Sequence, residues 1–309
     1  MQIGFGLPVS GAWANPEAIA RFAGQAERLG YHSLWTFTRL LVGADQEAEP
    51  VYQSVLDPLV SLAFAAAHTS RIRLGVGVVN VPYLSPTYVA KQAATLDVLS
   101  GGRFDLGLGA GWSPVEFTAT GAGMQRRGAR IEEFVVVLHT LWGEETSRYD
   151  GEFYTVPASR MAPKPVQRPG PPVLLGGSAP AALRRAGRIA AGWISRSAQD
   201  LSRIGDDAAV VRDAARHAGR DPAAVRIVCR GVLHLTDSAT GAGRQRLRGS
   251  LAQVRDDVAW LEEQGVTELF FDLNWDPAVG SPHADPAAAT EHAEEILHAL
   301  APTQRIYER

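Results

Sequence analysis

The chain has 309 residues, a formal net charge of −3 and 46% hydrophobic residues: enough apolar side chain for a sizeable core, and no basic excess to favour nucleic acid or an acidic membrane surface. Its one cysteine, Cys229, excludes an internal disulfide framework and any multi-cysteine metal site; in the apolar run "VRIVCRGVLHL" it reads as a buried, inert thiol. No apolar stretch is long enough for a bilayer, and "MQIGFGLPV" lacks the basic-then-apolar pattern of a signal peptide, so the expected location is the cytoplasm and no membrane partner is expected.

Short apolar runs alternate with longer amphipathic ones along the whole chain. The first run, "IGFGLPV" (3–9), precedes a helix over 15–29 that has Asn15 as cap, Pro16 in its first turn and Gly30 as stop. Further strands are expected at 33–37, 72–80, 104–111, 172–177, 192–197, 226–235 and 268–274. Helices are expected at 57–69, 86–100, 126–142, 180–190, 200–218, 250–264 and 286–300. Strand–helix units in this regular order predict an α/β fold, a (β/α)8 TIM barrel filling 1–309 as a single domain, because each parallel crossover returns the chain to the same end. A doubly wound sheet ranks second. An insertion, 143–170, separates the fourth helix from the fifth strand; it holds a hairpin-like "YDGEFYTV" and a proline-rich run that cannot be helix. It leaves from the face opposite the active-site end. Segment 236–250, "TDSATGAGRQRLRGS", reads as a mobile loop on the active-site face.

Glycines recur at every second position of three strands: Gly4 and Gly6, Gly75 and Gly77, and Gly107, Gly109 and Gly111. Alternate residues share one face of a strand, so each set strips side chains from one face. One reading is room for a flat ligand at the barrel mouth; the other is relief of packing in a narrow barrel. The stretch "PPVLLGGSAPAALRRAG" gives a buried strand, a turn at Gly176 and Gly177, then Ser178 and a helix start. Free backbone N–H groups there make an anion seat, although Ser178 would serve equally as a helix cap. In "SPVE" (113–116), Ser113 and Glu116 have the spacing of a capping box, which makes Glu116 structural. Trp112 stands where the fourth strand leaves the barrel, placed to wall a planar ring or simply to cover the barrel end.

Several chemistries lose their support. The dinucleotide fingerprint fails because Trp112 stands where the third glycine belongs. Asp237 and Asp272 are too few for a glycosidase pair, and no metal-binding histidine motif occurs, so no metal is expected. Lys91 and Lys164 lie away from strand C-terminal ends. His234, near the end of the seventh strand, is placed to reach the mouth. Room for a ring, a phosphate seat and little acid–base machinery suggest that a cofactor carries the chemistry.

On "SGGRFDLGLGAGWSPVEFTATG", "KPVQRPGPPVLLGGSAPAALRRAGRIAAGWI" and "QVRDDVAWLEEQGVTELFFDL", the sequence resembles the luciferase-like monooxygenase superfamily, in particular its coenzyme F420-dependent oxidoreductases. The resemblance covers essentially the whole chain. It implies a barrel holding F420 or FMN at its C-terminal mouth, a small-molecule substrate and a homodimer. By it, Gly176, Gly177 and Ser178 would hold the cofactor phosphate. Gly77 and Val78 would share a cis peptide behind the ring, and Asn80, Gly109, Gly111 and Trp112 would line the pocket. Many F420-dependent members carry Asp-His where this chain has Thr38 and Arg39, the two catalytic candidates here; Arg39 would bind an anionic substrate or ring, or be a solvated loop residue. A glutamate of the sugar-phosphate dehydrogenases is replaced by Trp112, which argues against that activity. The implied function is hydride transfer between F420 and an organic substrate. The alternatives are an FMN-dependent monooxygenase supplied by a partner reductase, or a flavin-binding relative without catalysis.

Overall fold

Eight parallel strands close into a barrel in a computed structural model that describes residues 1–241 and 243–302. They are β1 (Gln2–Gly6), β2 (Ser33–Thr36), β3 (Arg73–Asn80), β4 (Phe104–Gly109), β5 (Val173–Gly176), β6 (Gly192–Ile194), β7 (Arg226–Val232) and β8 (Glu268–Asp272). Each pairs with its neighbours in chain order, and β1 closes on β8, so the doubly wound alternative is excluded. The outer layer is α1 (Pro16–Arg28), α2 (Pro58–Ala67), α3 (Pro86–Ser100), α4 (Arg127–Gly143), α5 (Pro180–Ile189), α6 (Ile204–His217), α7 (Leu251–Glu263) and α8 (Pro286–Ala299). Local chemistry starts these helices. Asn15, Asp57 and Asp285 each accept a first-turn N–H just ahead of a proline, and Ser250 with Gln253 forms a full capping box on α7. Ile19, Phe22, Ala23 and Ala26 line the buried face of α1 at helical spacing. No helix among the described residues is long and apolar enough to cross a membrane.

The N-terminal end of the barrel is plugged by charge. Asp105 accepts from Arg73 at 2.7 and 2.9 Å and from Arg226 at 2.9 Å. Arg226 also donates to Glu268 at 2.7 Å, and Glu268 accepts from Ser33 and from the Trp35 indole. Two Arg226 partners are carboxylates, yet Asp105 still titrates below the usual range: burial pulls it up, and its hydrogen bonds and ion pairs with Arg73 and Arg226 win.

Above that plug, most of the glycine faces do not open a hollow. A Cβ on Gly75 would lie 2.5 Å from the Trp35 ring, one on Gly77 2.6 Å from Ile194, and one on Gly4 2.3 Å from the Ser33 hydroxyl. At Gly107 it would meet the Val76 carbonyl at 2.1 Å, and at Gly6 the Asp272 carboxylate at 2.8 Å. The missing side chains make way for large ones from other strands, chiefly Trp35 stacked on Phe270 at 5.2 Å. Packing relief is therefore the correct reading for these positions, and any ligand space lies higher, at the mouth.

The other expectations meet mixed outcomes. Cys229 is fully buried, and burial pushes its thiol up to about 12. Strands Ser147–Asp150 and Thr155–Ser159 form an antiparallel hairpin along α4, where Glu133 accepts from the N–H groups of Phe153 and Tyr154. The proline-rich run stays at the N-terminal end, with Gln167 bound to Asp97 and to the Phe104 carbonyl. Segment 236–250, read from the sequence as a mobile loop, makes these contacts: His234–Leu235, just before it, pairs with Arg248–Gly249, and Arg244 donates twice to Asp257. Ala242, within it, lies outside the described residues.

Candidate active site

The ends of β2, β3 and β4 meet at one side of the mouth, around Arg39. Its guanidinium lies 4.1 Å from the centroid of the Tyr52 ring and 4.5 Å from that of Trp112, within cation–π range of both. Only 8% of the side chain is exposed, so Arg39 is no solvated loop residue. Arg39 Nη1 donates to Glu116 Oε1 at 3.3 Å, and the same oxygen accepts the Leu40 N–H at 2.8 Å. Glu116 therefore does not close a capping box. Ser113 occupies the N-cap of the short helix Pro114–Ala119 but makes no cap bond with its side chain. The carboxylate turns instead to a guanidinium and an N–H, since a charge-assisted bond outweighs a neutral one.

Around this pair the accounting of polar atoms fails. Thr38 Oγ1, Arg39 Nε and the Tyr83 hydroxyl are buried without hydrogen-bond partners among the described residues. The Tyr83 hydroxyl faces the Glu116 carboxylate and the Trp112 backbone without a hydrogen bond of full geometry to either, and burial, reinforced by that carboxylate, pushes the phenol up to about 12. Each orphaned buried group costs about 1–3 kcal/mol, and three together are an exception that calls for a partner.

Beside them lies the inner floor of the mouth. The Gly77–Val78 peptide is cis, and the register of β3 on β4 shifts between Val76 and Val79. Val78 and Asn80 are half-buried. A Cβ on Gly109 would lie 2.4 Å from Val78 Cγ2 and 3.2 Å from Asn80 Oδ1, and one on Gly176 3.2 Å from Val78 Cγ1. The two glycines thus frame Val78. Gly111 has a φ of +66, and its carbonyl accepts from Arg127 at 2.6 Å. Trp112 covers Arg39 with one side of its ring, and the residue is otherwise largely exposed, at 62%.

Arg230 of β7 completes the floor. It donates to Asp272 at 2.7 Å and to the Gly77 carbonyl at 3.2 Å, and its guanidinium lies 4.1 Å from the Trp275 ring centroid. Asp272, one of the two carboxylates singled out from sequence, is committed to this pair and to Asn274. The other, Asp237, is exposed in the β7–α7 connection. His234 is held there too, against Asp276 at 3.2 Å.

The turn after β5 is separately built. Gly177 has a φ of +123, and a Cβ there would lie 2.8 Å from that of Ala182, so only glycine fits without strain. Its carbonyl accepts from the Trp193 indole at 2.7 Å. Ser178 does not cap α5: the N-cap is Ala179, without a side-chain bond. Ser178 lines a cavity of about 380 Å³ together with Arg196, Arg203, Asp200, Asp206 and Asp207. With carboxylates outnumbering guanidiniums there, an anion would rest on the first-turn N–H groups and the Ser178 hydroxyl rather than on net positive charge.

Thr38, Arg39, Gly77, Val78, Asn80, Gly109, Gly111 and Trp112 are thus gathered on one side of the mouth, with Gly176, Gly177 and Ser178 at its β5 edge. The sequence reading missed Tyr52, Tyr83 and Arg230 and misassigned Glu116. Arg230 had a signal, as a charge in the apolar middle of a strand; Tyr83 had none beyond its position just after β3.

A family model described as luciferase-like monooxygenase matches residues 4–294. An uncharacterized protein of Mycobacterium tuberculosis is 31% identical over 315 residues, covering 97% of this chain and 99% of that one. The FMNH2-dependent dimethylsulfone monooxygenase of Pseudomonas putida is 34% identical over 169 residues, 53% of this chain and 44% of that one. The coenzyme F420-dependent tetrahydromethanopterin reductase of Methanopyrus kandleri shares the fold, with a TM-score of 0.76 at 18% identity over 99% of each chain. The β3, β4 and β5 ends that build this mouth fall within the matched span, and the chain belongs to the luciferase-like monooxygenase family of oxidoreductases.

Proposed function

We propose that this chain transfers a hydride between coenzyme F420 and an organic substrate at the barrel mouth. The observation that carries the reading is the trio of buried, unpartnered polar atoms on Thr38, Arg39 and Tyr83, which a polar ring edge would satisfy and nothing among the described residues does with a full hydrogen bond. The residues present fit such a cofactor. Val78, Asn80, Gly109 and Gly111 would line the ring and Trp112 would wall it. The Gly176–Gly177 turn and Ser178 would take its phosphate. When bound, the deazaflavin supplies the carbon that gives or receives the hydride.

The chain's own groups supply the surroundings. Arg39, desolvated between two rings and only partly offset by Glu116, places positive charge where an anionic ring or substrate oxygen would be favoured. Tyr83 keeps its proton through neutral pH, because burial and the neighbouring carboxylate oppose ionisation; it serves as a hydrogen-bond donor. Val78 and Trp112 keep water from the reacting face.

A second reading, an FMN-dependent monooxygenase fed by a partner reductase, draws on the partial match to the Pseudomonas enzyme. Titrating the purified protein with F420 and with FMN, following tryptophan quenching, separates the two. F420 is expected to saturate the protein, and saturation by FMN alone would overturn the F420 reading. Ser178→Asp is expected to weaken cofactor binding by setting a like charge beside the phosphate; unchanged affinity would move the seat elsewhere. The exposed apolar face of Val60, Phe64, Tyr88 and Leu99 on α2 and α3 supports pairing of two copies. Val60→Glu is then expected to give a monomer in light scattering.

A further inference from the structure

One sizeable cavity does not lie where the ring would lie. It occupies about 920 Å³ between the β6–α6 connection and the β7–α7 connection, and Arg230 borders it on the side of the barrel axis. Its β7–α7 wall carries Arg244, Arg246 and Arg248, and the opposite wall offers one carboxylate, Asp200. The arginines differ in how far they are spent. Arg230 is balanced by Asp272. Arg244 and Arg246 share a single carboxylate, Asp257. The Arg248 guanidinium meets no partner among the described residues, and Asp200 is occupied by the N–H and hydroxyl of Ser202. In ion pairs the β7–α7 wall therefore carries two more guanidiniums than carboxylates, with Asp256 acting on Arg244 only through space, and the neutral amide of Gln245 lies beside them.

We propose that this cavity is a binding site for a chain of carboxylates: a flexible acid with at least two carboxylate groups spaced along it. Guanidinium forks match carboxylates with paired hydrogen bonds. Single charges spread along a chain suit donors spread along a wall better than one compact dianion does, and the volume is that of a sizeable small-molecule site. Two sources share this chemistry: a glutamyl chain on the cofactor itself, which rests on the F420 reading above, and a polycarboxylate substrate, which does not.

The test uses tri-γ-glutamate, F420 and its riboside precursor, which lacks both phosphate and glutamates, each titrated into the full-length protein. Arg248 is exposed and its guanidinium makes no hydrogen bond or ion pair among the described residues, so Arg248→Glu is expected to leave the fold intact, and Arg248→Lys keeps the charge. Tri-γ-glutamate is expected to bind saturably, to weaken as salt rises, to lose about tenfold in affinity in Arg248→Glu and to stay within about threefold in Arg248→Lys. If F420 also weakens in Arg248→Glu while the riboside does not, the occupant is the cofactor's acidic chain. If only tri-γ-glutamate weakens, the site serves the substrate. Absence of saturable tri-γ-glutamate binding, or binding indifferent to Arg248→Glu and to salt, overturns the proposal. The peptide arm contains no cofactor, so it stands or falls separately from the choice between F420 and FMN.

Discussion

The two ends of the barrel hold similar groups and treat them in opposite ways. At the N-terminal end, Arg73, Asp105, Arg226 and Glu268 form a closed set in which each carboxylate has a guanidinium partner. At the mouth, Arg39 and Glu116 are comparably buried, yet atoms around them are left unsatisfied. A buried ion pair that is complete is costly to break. One that is incomplete already carries a penalty, which a ligand can relieve. The contrast assigns stability to the lower end and function to the upper, the division expected of this barrel architecture.

The largest effect should come from the lower end. Asp105→Ala leaves Arg73 without its carboxylate partner and Arg226 with Glu268 alone. Stability should fall by about 3–5 kcal/mol in denaturant unfolding, with cofactor binding retained in the folded fraction. A loss under about 1 kcal/mol would erase the contrast. Glu116→Gln, at the mouth, should cost less stability, about 1–2 kcal/mol, because the amide oxygen still accepts the Leu40 N–H. Cofactor affinity should nonetheless change, since Arg39 loses its counter-charge. If Glu116→Gln destabilises as much as Asp105→Ala while binding is unaffected, Glu116 is merely structural.

This division was only half legible in the sequence. The strands and helices were, because their signals are local: Asn15 and Pro16 open α1, and Gly30 with a φ of +82 ends it. The Gly176–Gly177–Ser178 turn was legible for the same reason. The glycine faces misled because alternation shows which face of a strand is bare and not what fills it. Trp35 and Ile194, which occupy the space beside Gly75 and Gly77, come from other strands. Glu116 was misassigned because its partner Arg39 lies 77 residues earlier, whereas a capping box is visible within four residues.

A smaller effect tests the lower end through pH. Glu27, at the end of α1, accepts the N–H groups of Ser70, Arg71 and Ile72 at 2.6–2.9 Å. Partial burial raises its pKa, but these backbone bonds win and hold it at about 2 against an ordinary 4.5. Because the folded value is the lower one, the carboxylate's contribution is fully present above about pH 4.5 and is lost as pH falls through about 2. Glu27→Gln should therefore be slightly less stable than wild type at neutral pH, by under about 1 kcal/mol for so exposed a group. The two curves should converge below pH 2. A gap independent of pH would mean that the side chain acts through packing.

Tyr83→Phe should have the smallest effect on stability and is the sharpest test of the mouth. The hydroxyl is buried without a partner, so removing it should leave stability unchanged or raise it by up to about 1 kcal/mol. The pH profile tests a separate point, the cost of burying the phenolate. Because burial disfavours the phenolate and pushes the phenol from 10 to about 12, the wild type is unaffected by this group below pH 10 and loses stability as pH rises from 10 through about 12, so the variant's alkaline unfolding should be shallower than wild type's. Function should move the other way. If Tyr83 donates to a ligand oxygen, hydride transfer should slow by about tenfold or more, with the loss falling on kcat if the bond forms only in the transition state. A variant that is destabilised by more than about 1 kcal/mol and still turns over normally would show that the hydroxyl has a structural partner, and the mouth would then be as complete as the plug.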